Sequence, residues 1–233
     1  MSDTVTLRVA RWRPGDQAAR FDEFEARTGP RVTVLDALLT ARRDADPTLT
    51  FRHSCLHASC GTCGVRVDGR EALACVTPLG SSGATVTVEP LANAPLVGDL
   101  VVDMGEFHEK LAPAGQPLLR ASDLPSPEPA TRFESCIECG LCVSACPVSA
   151  TDHDYLGPAA LAAAARVVDE PRGRDPGAVL AWVDDEHGCW RCHVAFECSA
   201  ACPAGVDPAG AITALRGRLV RDRASSLLGR RGR

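Results

Sequence analysis

Cys136-Ile137-Glu138-Cys139-Gly140-Leu141-Cys142-Val143-Ser144-Ala145-Cys146-Pro147 spaces its cysteines as C-x2-C-x2-C-x3-C-P, the run that bacterial ferredoxins use to converge thiolates on an iron–sulfur core. Upstream, Cys55-x4-Cys60-x2-Cys63 followed by Cys75 has the plant-type [2Fe–2S] spacing. Downstream, Cys192-x5-Cys198-x3-Cys202-Pro203 repeats the bacterial run with Ala195 in place of its second cysteine. Of the 12 cysteines only Cys189 falls outside these groups. Such a chain is most simply an electron wire.

In two-cluster ferredoxins the last cysteine of each run ligates the other cluster. That crossover assigns Cys136, Cys139, Cys142 and Cys202 to a [4Fe–4S] cluster. Cys146, Cys192 and Cys198 remain for the other, whose fourth corner faces Ala195, which has no donor atom. A three-thiolate cuboidal site tends to lose its unligated iron, so [3Fe–4S] is expected there. Fewer thiolates carry less negative charge, which raises the reduction potential and makes this the terminal cluster. The [2Fe–2S] cluster takes Cys55, Cys60, Cys63 and Cys75. A zinc site would need a second CxxC near Cys60 and Cys63. A Rieske site would need a second Cys/His pair, and Cys75 is followed by Val76 and Thr77, so His57 reads as a loop residue. Cys189 forms a CxxC pair with Cys192 and is either a further ligand or a buried spare thiol, the commoner fate.

The chain has 233 residues, 4% aromatics and 37 Gly plus Pro (20 + 17). A core poor in large side chains gains from metal binding, which contributes folding free energy. The net charge of −5 does not suggest nucleic acid as a partner. Abundant cysteines in a reducing compartment point to metal ligation over disulfides. The N-terminus shows no secretory signal, and no run of about 18 apolar residues is present.

Thr4–Trp12 alternates apolar and polar residues as a strand does, and Phe21–Arg27 is its hairpin partner. Leu35, Leu38 and Leu39 share one face of a helix over Val34–Arg43. A small-residue loop, Cys55–Gly64, precedes strands at Gly64–Val67 and Ala84–Glu89. This order suits a β-grasp ferredoxin. Pro90–Leu100 reads as an exit segment, Asp103–Leu111 as a short helix, and proline-rich Pro113–Pro129 as a connector. Helices are expected at Pro158–Asp169, Pro176–Asp184 and Ala209–Arg221, the last capped by Asp207-Pro208. The class is α+β: an N-terminal β-grasp plant-type ferredoxin domain (1–98), a connector (99–131) and a C-terminal α-helical bacterial-ferredoxin-like domain (132–233). The basic tail Arg216–Arg233 is either solvated or in contact with anionic lipid headgroups.

The order of the three groups resembles the iron–sulfur subunit of succinate dehydrogenase and fumarate reductase. The resemblance includes Phe51-Arg52-His53-Ser54-Cys55, Leu73-Ala74-Cys75-Val76-Thr77-Pro78, Asp99-Leu100-Val101-Val102-Asp103-Met104, Leu156-Gly157-Pro158, Trp190-Arg191-Cys192-His193 and Cys202-Pro203-Ala204-Gly205. It implies a peripheral subunit at the cytoplasmic face of the cell membrane. Its partners would be a flavoprotein subunit carrying FAD and the dicarboxylate site, and a membrane anchor or cytochrome b subunit. Electrons would run between flavin and quinone through [2Fe–2S], [4Fe–4S] and [3Fe–4S], with Pro147, Trp190 and His193 close to the quinone. One departure is Val148-Ser149-Ala150-Thr151-Asp152, where many succinate dehydrogenases carry tryptophan. The competing readings are a free multi-cluster ferredoxin carrier, or the same wire serving a different dehydrogenase.

Overall fold

The computed structural model describes residues 3–115, 135–170 and 176–230, with side chains up to 225 in the last helix. They divide into two compact units. One comprises residues up to Met104 together with Ile137–Ala145; the other comprises Gly105 onward, Cys136, and Cys146 onward.

The first unit is built on a mixed five-stranded sheet of order β2-β1-β5-β3-β4. Its strands are β1 (Thr4–Arg11), β2 (Arg20–Arg27), β3 (Gly64–Val67), β4 (Arg70–Leu73) and β5 (Thr85–Glu89). β1 is antiparallel to β2 and parallel to β5, so Leu7 pairs with both Phe24 and Val86. Val5, Leu7 and Val9 alternate inward as expected, at 2% exposure or less. Arg11 continues the same parity and is fully buried. Its guanidinium donates to Asp22, Asp46, Asp99 and Thr48, which is how a buried charge is tolerated. Helix α1 (Val34–Asp44) starts at a capping box between Thr33 and Asp36 and buries Val34, Leu35, Ala37, Leu38 and Ala41. The exit segment forms a small hairpin, β6 (Leu96–Gly98) with β7 (Val101–Val102).

The second unit is helical. It contains α2 (Gly105–Gly115), α4 (Gly157–Asp169), α5 (Pro176–Val183), the four-residue α6 (Glu197–Ala200) and α7 (Pro208–Arg230). α4 packs against α2, α5 and α7. It is buried on nearly every side because Ala159–Ala165 presents only methyl groups and Leu161, which lets neighbouring helices approach closely. Asp207 accepts from the Gly210 N–H at 3.0 Å and caps α7. α7 continues past the expected end at Arg221 to Arg230.

The four-residue helix α3 (Leu141–Ser144) packs in the first unit, not in the helical domain that the sequence assigns to 132–233. Polar bonds tie it there. The Asn93 side-chain amide donates to the carbonyls of Val143 and Ser144, and the Ser144 hydroxyl donates to Glu71 at 2.9 Å. Pro113 lies inside α2. Residues 116–131 of the expected connector and residues 231–233 of the basic tail lie outside the described residues.

Candidate metal centres

The loop between α1 and β3 brings Cys55, Cys60 and Cys63 together, and the β3–β4 hairpin returns Cys75 to them. The backbone of this loop turns its N–H groups onto sulfur. Ser59 and Cys60 donate to the Cys55 Sγ at 3.3 and 3.4 Å. Ala58 donates to the Cys75 Sγ at 3.3 Å, and Cys55 to the Cys60 Sγ at 3.5 Å. Bonds from the His57 N–H, then the Cys60 thiol, and then these amides lower the Cys55 thiol to about 7. Burial pushes the Cys63 thiol up to about 11. The His57 ring donates to the Cys55 carbonyl, which fits its reading as a loop residue.

Leu56 and Ala58 curl the chain at positive φ, 66° and 60°. So do Glu138, Val194 and Phe196 in the other cysteine loops, at 52°, 56° and 63°. A β-branched or bulky residue held there costs on the order of 1–3 kcal/mol. A loop that must point several amides at one set of sulfurs explains that strain.

Gly61 joins two cysteine groups inside the first unit. With φ at +69°, a Cβ there would stand 2.7 Å from the Cys139 Cβ and 2.7 Å from the Ile137 carbonyl oxygen. The loop of Cys60 and Cys63 therefore rests directly on the backbone before Cys139. Cys139 precedes Gly140, Cys142 lies in α3, and Cys202 follows α6; with Cys136 all are half-buried.

In the second unit Cys146, Cys192 and Cys198 line one narrow cavity with Tyr155 and Ala195. Burial, then the neighbouring Cys146 and Cys192 sulfurs, raise the Cys198 thiol to about 11. The Val194 N–H donates to the Cys192 Sγ at 3.3 Å. Ala195 contributes only a methyl group. Pro147 and His193 are exposed and belong to the cavity lining, as does Phe196. Trp190 does not. Its indole N–H donates to Asp184 at 2.6 Å, and the Arg223 guanidinium lies 5.2 Å from its ring. Cys189 is fully buried outside the cavity lining, and burial raises its thiol to about 11.

Two further groups brace this site. Arg216 of α7 donates to the carbonyls of Cys189, Trp190 and Cys192 and so fixes the turn that delivers Cys192. Asp152 accepts from His187 at 3.1 Å and Arg191 at 2.6 Å, tying the stretch after Cys146 to the stretch before Cys192. Arg218 and Arg223 pair with Asp169 and Asp184, so part of the basic tail is used internally. Gly61, Tyr155 and Arg216 carry no spacing signal; only their neighbours in three dimensions reveal them.

A sequence profile for a "2Fe-2S iron-sulfur cluster binding domain" matches residues 6–109, and one for a "4Fe-4S dicluster domain" matches residues 132–206. The fumarate reductase iron–sulfur subunit of Mycobacterium tuberculosis is 42% identical over 91% of this chain and 91% of its own. The chain belongs to the iron–sulfur subunit family of succinate dehydrogenases and fumarate reductases. The succinate dehydrogenase iron–sulfur subunit of Paracoccus denitrificans is 34% identical over 91% of this chain and 86% of its own. A chain of the Mycobacterium smegmatis Sdh1 complex in the apo form superposes with a TM-score of 0.82 at 25% identity, covering 96% of this chain and 98% of that one. The chain is thus an iron–sulfur electron-transfer subunit, with a [2Fe–2S] domain followed by a [4Fe–4S]-type domain.

Proposed function

We propose that this chain passes electrons between an FAD-bearing flavoprotein subunit and a membrane quinone through three clusters. The N-terminal domain is of the β-grasp ferredoxin type and holds [2Fe–2S] through Cys55, Cys60, Cys63 and Cys75. The C-terminal domain is of the bacterial ferredoxin type. Cys136, Cys139, Cys142 and Cys202 hold [4Fe–4S]. Cys146, Cys192 and Cys198 hold [3Fe–4S], with Ala195 at the vacant corner. The clusters supply one-electron carriers at successive potentials; the protein supplies thiolates, amide donors and a fixed spacing. The observation that carries the reading is the packing at Gly61, where the loop of the first cysteine group rests on the loop of the second. Direct backbone contact between cluster loops favours a relay over isolated sites. The donor sets fit the clusters: converging thiols, with amide N–H groups already aimed at sulfur.

Among the described residues no helix is long and apolar enough to cross a membrane. A peripheral position on the cytoplasmic face, held by a membrane anchor or cytochrome b subunit, accords with the family. Pro147 and His193, exposed at the cavity of Cys146, Cys192 and Cys198, would meet the quinone. An imidazole there can hydrogen-bond the quinone or donate a proton to its reduced form. Trp190, its indole N–H bonded to Asp184, would stand near the quinone with them.

Gentle detergent extraction tests this reading. The chain is expected to co-purify with a larger, yellow, flavin-containing subunit and an apolar anchor. A chain that emerges alone, loaded with clusters, would instead be a free carrier.

A further inference from the structure

Residues of two cysteine groups are folded into one unit. Ile137–Ala145, which carries Cys139 and Cys142, belongs with the sheet and the loop of Cys55, Cys60, Cys63 and Cys75. Two features make this join. The first is close backbone approach. Gly61 and Gly64 flank Thr62-Cys63. A Cβ on Gly61 would stand 2.7 Å from the Cys139 Cβ, and one on Gly64 would stand 3.1 Å from the Cys139 carbonyl oxygen. The chain on either side of Cys63 therefore touches Cys139 and leaves no room for a side chain. Cys63 itself is buried, at 4% exposure, whereas Cys55 and Cys60 are half-buried. The second feature is a polar clamp on α3. The Ser144 hydroxyl, on a buried residue, accepts from the Ala92 N–H at 2.9 Å and donates to Glu71 at 2.9 Å. The Asn93 side-chain amide donates to the carbonyls of Val143 and Ser144 at 2.9 and 3.0 Å. A single helical turn has little stability of its own, and its last carbonyls lack partners within the helix. Asn93 supplies those partners from the sheet unit, so α3 takes its place from the clamp.

We propose that Asn93 and Ser144 are positioning residues that hold the Cys139–Cys142 segment against Gly61–Gly64, and that the contact so formed between the Cys63 backbone and Cys139 is where an electron crosses between the first two cysteine groups. The proposal rests on the three-cluster reading given above. In the crossing one electron leaves the [2Fe–2S] centre, which is oxidised, and reduces the [4Fe–4S] centre, or the reverse; no bond breaks and no proton moves. Electron exchange between fixed carriers falls steeply with the gap between them. Residues that set that gap therefore act on the rate of the relay without touching either ligand set. Glycine at positions 61 and 64 removes the side chains that would widen the gap, and the bonds of Asn93 and Ser144 keep α3 from drifting off it.

The test is EPR power saturation of the [2Fe–2S] signal in the intact, cluster-loaded complex at fully reducing potential. Both centres are then paramagnetic, and each quickens the relaxation of the other across a short gap. Wild type is compared with Asn93→Asp, Ser144→Ala, Gly64→Ala and Gly64→Val. Asn93→Asp replaces the amide donor with an oxygen that faces two carbonyls, and Ser144→Ala removes the hydroxyl that joins Ala92 to Glu71. Each should keep both signals while the [2Fe–2S] signal saturates at several-fold lower power. Electron transfer between the two centres after a rapid reduction pulse should slow several-fold. Side chains at Gly64 wedge the same contact, so coupling should fall in the order wild type, Ala, Val. A residue that serves stability alone would lower the melting temperature and leave the coupling of the folded protein unchanged. Both signals present with wild-type saturation in Asn93→Asp and Gly64→Val would overturn the proposal and leave the three-cluster reading standing. If the clamp variants lose the [4Fe–4S] signal, Gly64→Ala, which adds one methyl group, decides alone: weakened coupling supports the proposal and unchanged coupling overturns it. A wild-type complex whose reduced [2Fe–2S] centre relaxes as an isolated one would overturn the relay and the proposal together.

Discussion

The loop of Cys55, Cys60, Cys63 and Cys75 surrounds its sulfurs with backbone, whereas the cavity of Cys146, Cys192 and Cys198 surrounds them with apolar side chains. In the first, amides of Cys55, Ala58, Ser59 and Cys60 all donate to sulfur, and four thiols share one loop and one hairpin. In the second, three thiols meet, the Val194 amide donates to Cys192 and Ser199 donates to Cys198, and an alanine lines the cavity beside them. Potential is set by cluster type, net charge, hydrogen bonds to sulfur and exposure. The two regions use these levers differently. On the proposed assignment the first holds a full complement of thiolates and offsets their charge with N–H dipoles, whereas the second has one thiolate fewer. That makes the second the more oxidising end, and gives the proposed wire a direction built into its ligand count.

The contrast is broken most completely by removing a ligand from the first region. Cys75→Ala should abolish the [2Fe–2S] EPR signal of the reduced protein, while Cys189→Ser, which touches a thiol outside both sites, should leave every cluster in place. Loss of a cluster in Cys189→Ser would make that residue a ligand. A second change makes the regions alike. Ala195→Cys restores the full C-x2-C-x2-C-x3-C-P run and should convert the terminal cluster toward [4Fe–4S], lowering its potential and slowing quinone reduction by roughly tenfold or more. A variant that keeps the [3Fe–4S] signal would place the gap elsewhere.

Smaller effects sharpen the comparison. Gly61→Ala adds a Cβ at positive φ against Cys139 and the Ile137 carbonyl. A loss of about 1–3 kcal/mol is expected in thermal or denaturant unfolding of the loaded protein, with the cavity of the second unit unaffected. An unchanged unfolding curve would mean that the two loops do not press on each other. The smallest effect is electrostatic. The bond to Asp152 raises the His187 pKa above 6.5. A raised histidine contributes stability fully present below its unfolded pKa and lost as pH rises through the folded one. The melting-temperature gap between wild type and His187→Gln should therefore be widest below about pH 6.5 and close at alkaline pH. A gap that widens with pH would contradict the pairing.

What the sequence made legible follows from short-range rules. Alternation located β1, the shared face of Leu35, Leu38 and Leu39 located α1, and Asp207-Pro208 located the start of α7. Spacing grouped the cysteines because cluster ligands within a run sit on one turn of chain. Partners set by tertiary contact stayed hidden. The tie between Asn93 and α3 joins residues about fifty positions apart, so no local pattern assigns Ile137–Ala145 to the first unit. Tyr155 reads as an ordinary core aromatic until it is seen lining the cavity of Cys146, Cys192 and Cys198. Arg11 could have been found: it continues the inward parity of Val5, Leu7 and Val9, and a charge on that face demands the carboxylates that Asp22, Asp46 and Asp99 provide. Trp190 adjoins Arg191 and Cys192 in sequence, and the partner of its indole N–H, Asp184, is one that no local pattern names.

The asymmetry between four thiolates and three is tested most directly by low-temperature EPR of the oxidised, intact protein with spin quantitation. The ligand count predicts a [3Fe–4S] signal near about g = 2 that integrates to roughly one spin per chain. No such signal, with iron and sulfide matching two clusters only, would contradict it.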